Sequence, residues 1–169
     1  DPNVTLINNS DVINVIGTQQ TISINSPFTF QVNNNVADQH IVAFVLTMTD
    51  NLGNTWASTM NVIINAPDLN HTDFVIDDTS GNGNGKLDAG ETLDLIIGLT
   101  NIGHADIGSL VASLGSLSSY VNINSTTANI SGLAVNGQQS ATFNITVDAN
   151  TPVGTFAEFP FDITNGNYS

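Results

Sequence analysis

Thr92-Leu93-Asp94-Leu95-Ile96-Ile97-Gly98-Leu99-Thr100 sets the fold class. Leu93, Leu95, Ile97 and Leu99 share one face, with Asp94 and Thr100 on the other. A period of two places alternate side chains on opposite faces of a β-strand, one dry and one wet. The same pattern recurs in Ala141–Val147, where Phe143, Ile145 and Val147 alternate with Thr142, Asn144 and Thr146. It returns in Phe156–Thr164, where Phe159, Phe161 and Ile163 alternate with Glu158, Pro160 and Asp162. Thr55–Ile64 and Phe28–Val32 read as strands too. Pro160 removes a ladder donor, so its strand is expected at a sheet edge or a bulge.

Ala, Glu, Lys and Arg are too scarce for helices, and Asn, Gly, Thr and Ser interrupt every long window. Turn signals recur at Asn33-Asn34-Asn35, Asn51-Leu52-Gly53, Asn136-Gly137 and Asn165-Gly166. Short strands at that spacing predict an all-β chain with an immunoglobulin-like β-sandwich, as one complete or two partial tandem units.

An internal repeat refines this. Phe28–Asn51 lies on Phe143–Gly166 without a gap, so that Phe28, Val32, Asn35, Phe44 and Thr49 meet Phe143, Val147, Asn150, Phe159 and Thr164. Phe30, Leu46 and Met48 meet Ile145, Phe161 and Ile163. Upstream, Val4–Ile13 matches Val121–Ile130 once a two-residue gap is allowed. Residues 1–67 then read as the later strands of a first copy, ending with Thr55–Ile64. Residues 68–169 read as a second copy that stops at Asn167-Tyr168-Ser169, and Asn65-Ala66-Pro67-Asp68 is the expected linker. Two half-modules expose edges. Either the two parts pack into one composite unit or they pair with another chain, and the sequence leaves both open.

The 169 residues carry one Lys, no Arg and fifteen acidic groups, a net charge of −14. Such a chain has no cationic surface to displace phosphate counterions, which argues against nucleic acid and anionic lipid as partners. No apolar run reaches the length of a membrane span. The absence of cysteine excludes disulfides, a thiolate nucleophile and zinc–cysteine sites. His40, His71 and His104 stand far apart, and Glu91 and Glu158 are the only glutamates. No nucleophile elbow or phosphate loop occurs, so the chain is expected not to be an enzyme. Trp56, Tyr120 and Tyr168 are the candidates for an aromatic sugar platform. A cysteine-free, Lys-poor chain rich in Asn, Thr, Ser and Gly is expected to be secreted or at the cell surface, and because it opens on Asp1 rather than Met, with no signal peptide, it is expected to be a piece of a longer protein.

One segment carries chemistry. Within residues 78–91, taking Ser80 as the first position of a twelve-residue calcium loop puts Asn82 third, Asn84 fifth and Gly85 at the turn. Lys86 then offers its backbone carbonyl at position seven, Leu87 anchors the loop, Asp88 is ninth and Glu91 closes it at twelve. Alternate residues of a tight curl turn their oxygens inward, and glycines permit the positive φ the curl needs. Ser80 stands where Asp is usual, so Asp78 is expected to reach in, with Asp77 in reserve. The expected ligand set is Asp78, Ser80, Asn82, Asn84, Lys86, Asp88 and Glu91, holding a structural Ca2+ between two strands. Its affinity is expected at about 10⁻⁴ to 10⁻⁶ M, in the range of extracellular modules.

The phrase Phe74-Val75-Ile76-Asp77-Asp78, Ser80 through Leu95, and Leu99-Thr100-Asn101-Ile102-Gly103-His104-Ala105 resembles the accessory immunoglobulin-like modules of large secreted Bacteroidetes peptidases, notably gingipain-like cysteine peptidases. Asn84 replaces the Asp commonest in that phrase. The resemblance implies a β-sandwich, calcium in the loop, an extracellular setting and a parent that is a peptidase. It carries no peptidase activity onto these residues. The role it implies is a spacer or interaction module, with neighbouring domains of the same polypeptide as partners; the alternative is an adhesion module for a glycan or protein ligand.

Overall fold

A computed structural model describes residues 1–25 and 28–166. Among them there is no helix, and the chain is all-β with antiparallel pairing throughout. In chain order the strands are β1 (Val4–Asn8), β2 (Thr29–Val32), β3 (His40–Thr49), β4 (Thr55–Ile64), β5 (Leu69–Asp77) and β6 (Thr92–Asn101). Then come β7 (Leu110–Leu114), β8 (Val121–Ile123), β9 (Thr127–Ile130), β10 (Gln138–Val147) and β11 (Phe161–Thr164). The backbone divides into two compact units, Asp1–Ile64 and Asn65–Ser169.

The second unit is a sandwich. One sheet runs β5-β6-β10-β8 and the other β11-β7-β9. Their inner faces share one core. Leu93, Leu95, Ile97 and Leu99 of β6 and Ala141, Phe143 and Ile145 of β10 meet Leu110, Ala112 and Leu114 of β7 and Ile130 of β9. The alternation that defined these strands is thus the alternation of core and solvent. Phe143 and Phe161 join the sheets edge to face, with ring centroids 6.2 Å apart. Pro160 directly precedes β11, which is an edge strand as its missing N–H requires. The strand expected over Phe156–Thr164 is confined to Phe161–Thr164.

The expected linker Asn65–Asp68 is part of this unit. Ala66 is buried, and its carbonyl accepts the amides of His104 at 3.0 Å and Ala105 at 3.3 Å. The Asp68 carbonyl accepts Ile102 N–H at 2.7 Å. Asn101, fully buried, ties the two segments together. Its Oδ1 accepts Asp68 N–H at 3.2 Å and Gly103 N–H at 3.1 Å, and its Nδ2 donates to the Ala105 carbonyl at 2.8 Å.

The first unit holds two two-stranded sheets, β1-β2 and β3-β4. The long hairpin pairs His40 with Ile64 at one end and Thr49 with Thr55 at the other. Asp50 closes its turn, accepting Leu52 N–H and Asn54 N–H at Oδ1 and Asn54 Nδ2 at Oδ2. These bonds, the Asn54 side chain's first, hold the Asp50 carboxyl below its ordinary range. Phe30 and Phe44 meet across the sheets at 5.0 Å.

The internal repeat is visible in the backbone. Val4 pairs with Val32 and Leu6 with Phe30, as Val121 pairs with Val147 and Ile123 with Ile145. Asn33 N–H donates to the Asn3 carbonyl at 2.9 Å; at the matching place Asp148 N–H donates to the Tyr120 carbonyl at 2.8 Å. Gln39 and Gly154, at corresponding positions of the next turn, both have positive φ, 60° and 84°. The first unit therefore carries counterparts of β8, β10 and β11, followed by β4.

Candidate metal centre

The loop between β5 and β6 closes on two anchors. Val147 N–H donates to the Glu91 carbonyl at 2.8 Å, and Gly90 N–H donates to the Val147 carbonyl at 3.1 Å. Leu87, the expected apolar anchor, packs against the sandwich core. Between these points the chain curls back on itself, and Gly85 takes φ 73°, a left-handed conformation that a side chain disfavours.

Asp78 is buried and turned into the curl. Its Oδ2 accepts the amides of Asn84 at 2.9 Å and Gly85 at 3.1 Å, and its carbonyl accepts Gly81 N–H at 2.7 Å. Asp77 faces outward and caps its own turn, accepting Thr79 Oγ1 at 2.7 Å and Thr79 N–H at 3.2 Å, bonds that keep its carboxyl below the usual range. Asn82 and Asn84 form successive Asx turns: Asn82 Oδ1 accepts Asn84 N–H at 3.0 Å, and Asn84 Oδ1 accepts Lys86 N–H at 2.9 Å. Their amide nitrogens converge on one oxygen, Asp88 Oδ2, at 2.8 Å and 2.6 Å. Glu91 Oε1 accepts Asn82 N–H at 3.1 Å. Ser80 Oγ donates to the Thr92 carbonyl at 3.4 Å, a tie across the base of the hairpin.

The structure thus gathers Asp78, Asn82, Asn84, Lys86, Asp88 and Glu91 into one hydrogen-bonded loop, with Ser80 at its mouth. Among the described residues no three His, Asp or Glu side chains converge closely enough to hold a metal as they stand. Two features fit a cation nonetheless. Glu91 Oε2 is buried and has no hydrogen-bond partner, an expensive state for a carboxylate oxygen. Gly81 leaves room beside the same carboxylate, for a Cβ there would stand 2.8 Å from Glu91 Oε1. The two amide N–H groups aimed at Asp88 present positive charge where a cation would sit. Rotating both amides puts carbonyl oxygens there instead.

The Asn82 and Asn84 side chains, followed by the positive charge of Lys86, hold the Asp88 carboxyl below its ordinary value of 3.8. A depressed folded value means the bonds stabilise the loop above the unfolded pKa, and that this is lost as pH falls through the lower folded value. Asn84→Ala is expected to raise the Asp88 pKa toward 3.8, read by carboxyl-carbon NMR titration, and to move acid opening of the loop to higher pH. An unchanged titration would contradict the bond.

The remaining candidates stand apart. His40 Nε2 lies 2.8 Å from Asp1 Oδ2 in the first unit. His71 packs edge-on to Phe161, at 6.4 Å between ring centroids, and His104 lies in the turn after β6. Trp56 is exposed on β4 in the first unit, Tyr120 is half-buried in the second, and Tyr168 lies outside the described residues. Asn101 is a structural residue that sequence periodicity does not single out. Its signal was present, since it continues the inward-facing parity of Leu93 to Leu99 with a polar side chain.

The class defined by this fold is an all-β protein with an antiparallel sandwich and a hairpin loop rich in side-chain oxygens. Comparison with protein-family models, curated proteins and solved structures gave no match. No helix among the described residues is long and apolar enough to cross a membrane.

Proposed function

We propose that this chain is a non-catalytic, calcium-stabilised structural module of a secreted or cell-surface protein, acting as a spacer or interaction unit beside other domains of its polypeptide. The unpartnered, buried Glu91 Oε2 is the observation that carries this reading. It lies in a loop where Asp78 is also buried and Asp88 draws two amides to one oxygen. Calcium takes six to eight oxygen ligands in flexible geometry, and a loop of two Asn, two Asp, one Glu and a backbone carbonyl supplies that chemistry. Lys86 contributes through its carbonyl, and Ser80 through its hydroxyl or a bridging water. The acidic chain as a whole, at net −14, favours a divalent cation over any anionic partner. An immunoglobulin-like topology, and a peptidase as the parent, extend this proposal through the sequence resemblance.

Calcium bound only to the folded form stabilises it by mass action, about 2.7 kcal/mol at a hundredfold excess over Kd. For a unit of this size that is a rise in Tm on the order of 10 °C. Calorimetry in calcium and in chelator is expected to show the rise, and Glu91→Gln to abolish it while leaving the chelated midpoint nearly unchanged. Equal midpoints in both conditions would refute the site. A glycan- or protein-binding role draws on the exposed indole of Trp56. Binding on a glycan array that is lost with Trp56→Ala would favour it.

A further inference from the structure

The two units share register but not burial. Phe143 and Ile145 on β10 are fully buried, while their counterparts Phe28 and Phe30 are 43 % and 40 % exposed. Ile130 on β9 is 2 % exposed, while its counterpart Ile13 is 39 % exposed and lies outside any strand. Leu46 and Met48 on β3 are exposed where Phe161 and Ile163 pack against the core.

The second unit shows what covers these positions. There β10 lies between β8 and β6, with Leu93 opposite Ile145 and Leu95 opposite Phe143. There β9 exists as a strand through its pairing with β7. In the first unit β2 has its β8 counterpart, β1, and the opposite edge ends the sheet. Among the described residues of that unit there is no counterpart of β5, β6 or β7, and each of these five exposed positions corresponds to one beside β6 or β7 in the other. An open edge with an apolar face is a template for strand addition.

We propose that the open edge and apolar face of β2, with β3 and the Ser10–Ile13 segment, form a receiving surface for the front half of a further copy of this module. A β6-type strand pairs antiparallel with β2, its leucines facing Phe28 and Phe30 as Leu95 and Leu93 face Phe143 and Ile145. A β7-type strand draws Ser10–Ile13 into a β9-like strand. The occupant is defined by its chemistry: an antiparallel segment with Leu or Ile at every second residue and few charges. This inference does not rest on calcium.

The repeat fixes the test. Because Val4 matches Val121, a second copy of residues 65–117 fused ahead of Asp1 of the full chain reproduces the spacing of the second unit. Hydrogen exchange at Phe28–Val32 and at Ser10–Ile13 is expected to slow by about 100-fold or more, with dye binding to exposed apolar surface falling in parallel. The same fusion with Leu93→Asp, Leu95→Asp and Ile97→Asp in the added copy only is expected to leave exchange as in the unfused chain. Equal exchange in all three chains overturns the proposal. So does an unfused chain whose β2 is already protected in a concentration-dependent dimer, which would make a second copy of the first unit the occupant. Running the series in chelator and in calcium separates this outcome from the fate of the metal site.

Discussion

Asn101→Ala is expected to destabilise the second unit by about 2–4 kcal/mol, because it strands three backbone groups at once. The amides of Asp68 and Gly103 lose the acceptor Oδ1, and the Ala105 carbonyl loses the donor Nδ2. The side chain is fully buried, so water does not replace these bonds without opening the end of the sandwich. Asn101→Asp keeps the acceptor and loses the donor, placing a carboxylate against the Ala105 carbonyl. Its cost is expected to be largest at neutral pH and to shrink on acidification, as the protonated carboxyl regains a donor. Amide exchange of β6 under native conditions reads both effects within this unit alone. Loss of less than about 0.5 kcal/mol, the ordinary effect of a surface change, would show that the hub is dispensable.

Asn101 also marks where sequence reading ends. The period-two signal over Thr92–Thr100 and Thr55–Ile64 locates β6 and β4 because one face of each repeats apolar residues against polar ones. It says nothing of a polar residue on the inward face, whose partners come from distant segments such as Asp68. β7 gives no clear sequence signal for a related reason. Leu110-Val111-Ala112-Ser113-Leu114 lacks clean polar alternation, yet it is the centre of its sheet. The loop is similar. The sequence puts Asp78 first and keeps Asp77 in reserve; in the structure Asp78 is buried and Asp77 caps Thr79. Spacing does not reveal that both asparagine amides turn toward Asp88, since that is a choice of side-chain rotation rather than of position.

Phe143→Ala is expected to cost about 3–5 kcal/mol, the usual penalty for emptying a buried aromatic site. Phe143 sits in the central strand pair, opposite Leu95 and edge-on to Phe161, so few neighbours are free to collapse into the void. At the corresponding position of the repeat, Phe28→Ala is expected to change stability by no more than about 1 kcal/mol, since that ring is already substantially in water. The same residue type in the same register thus differs severalfold in effect, and the cause is the cover that β6 provides. Unit-resolved exchange measures both substitutions in the full chain. If Phe28→Ala proves as costly as Phe143→Ala, the first unit buries that face by other means and offers no receiving surface. In the chain carrying the added front half, Phe28→Ala is expected to become as damaging as Phe143→Ala, because the cost follows the covering strand rather than the residue.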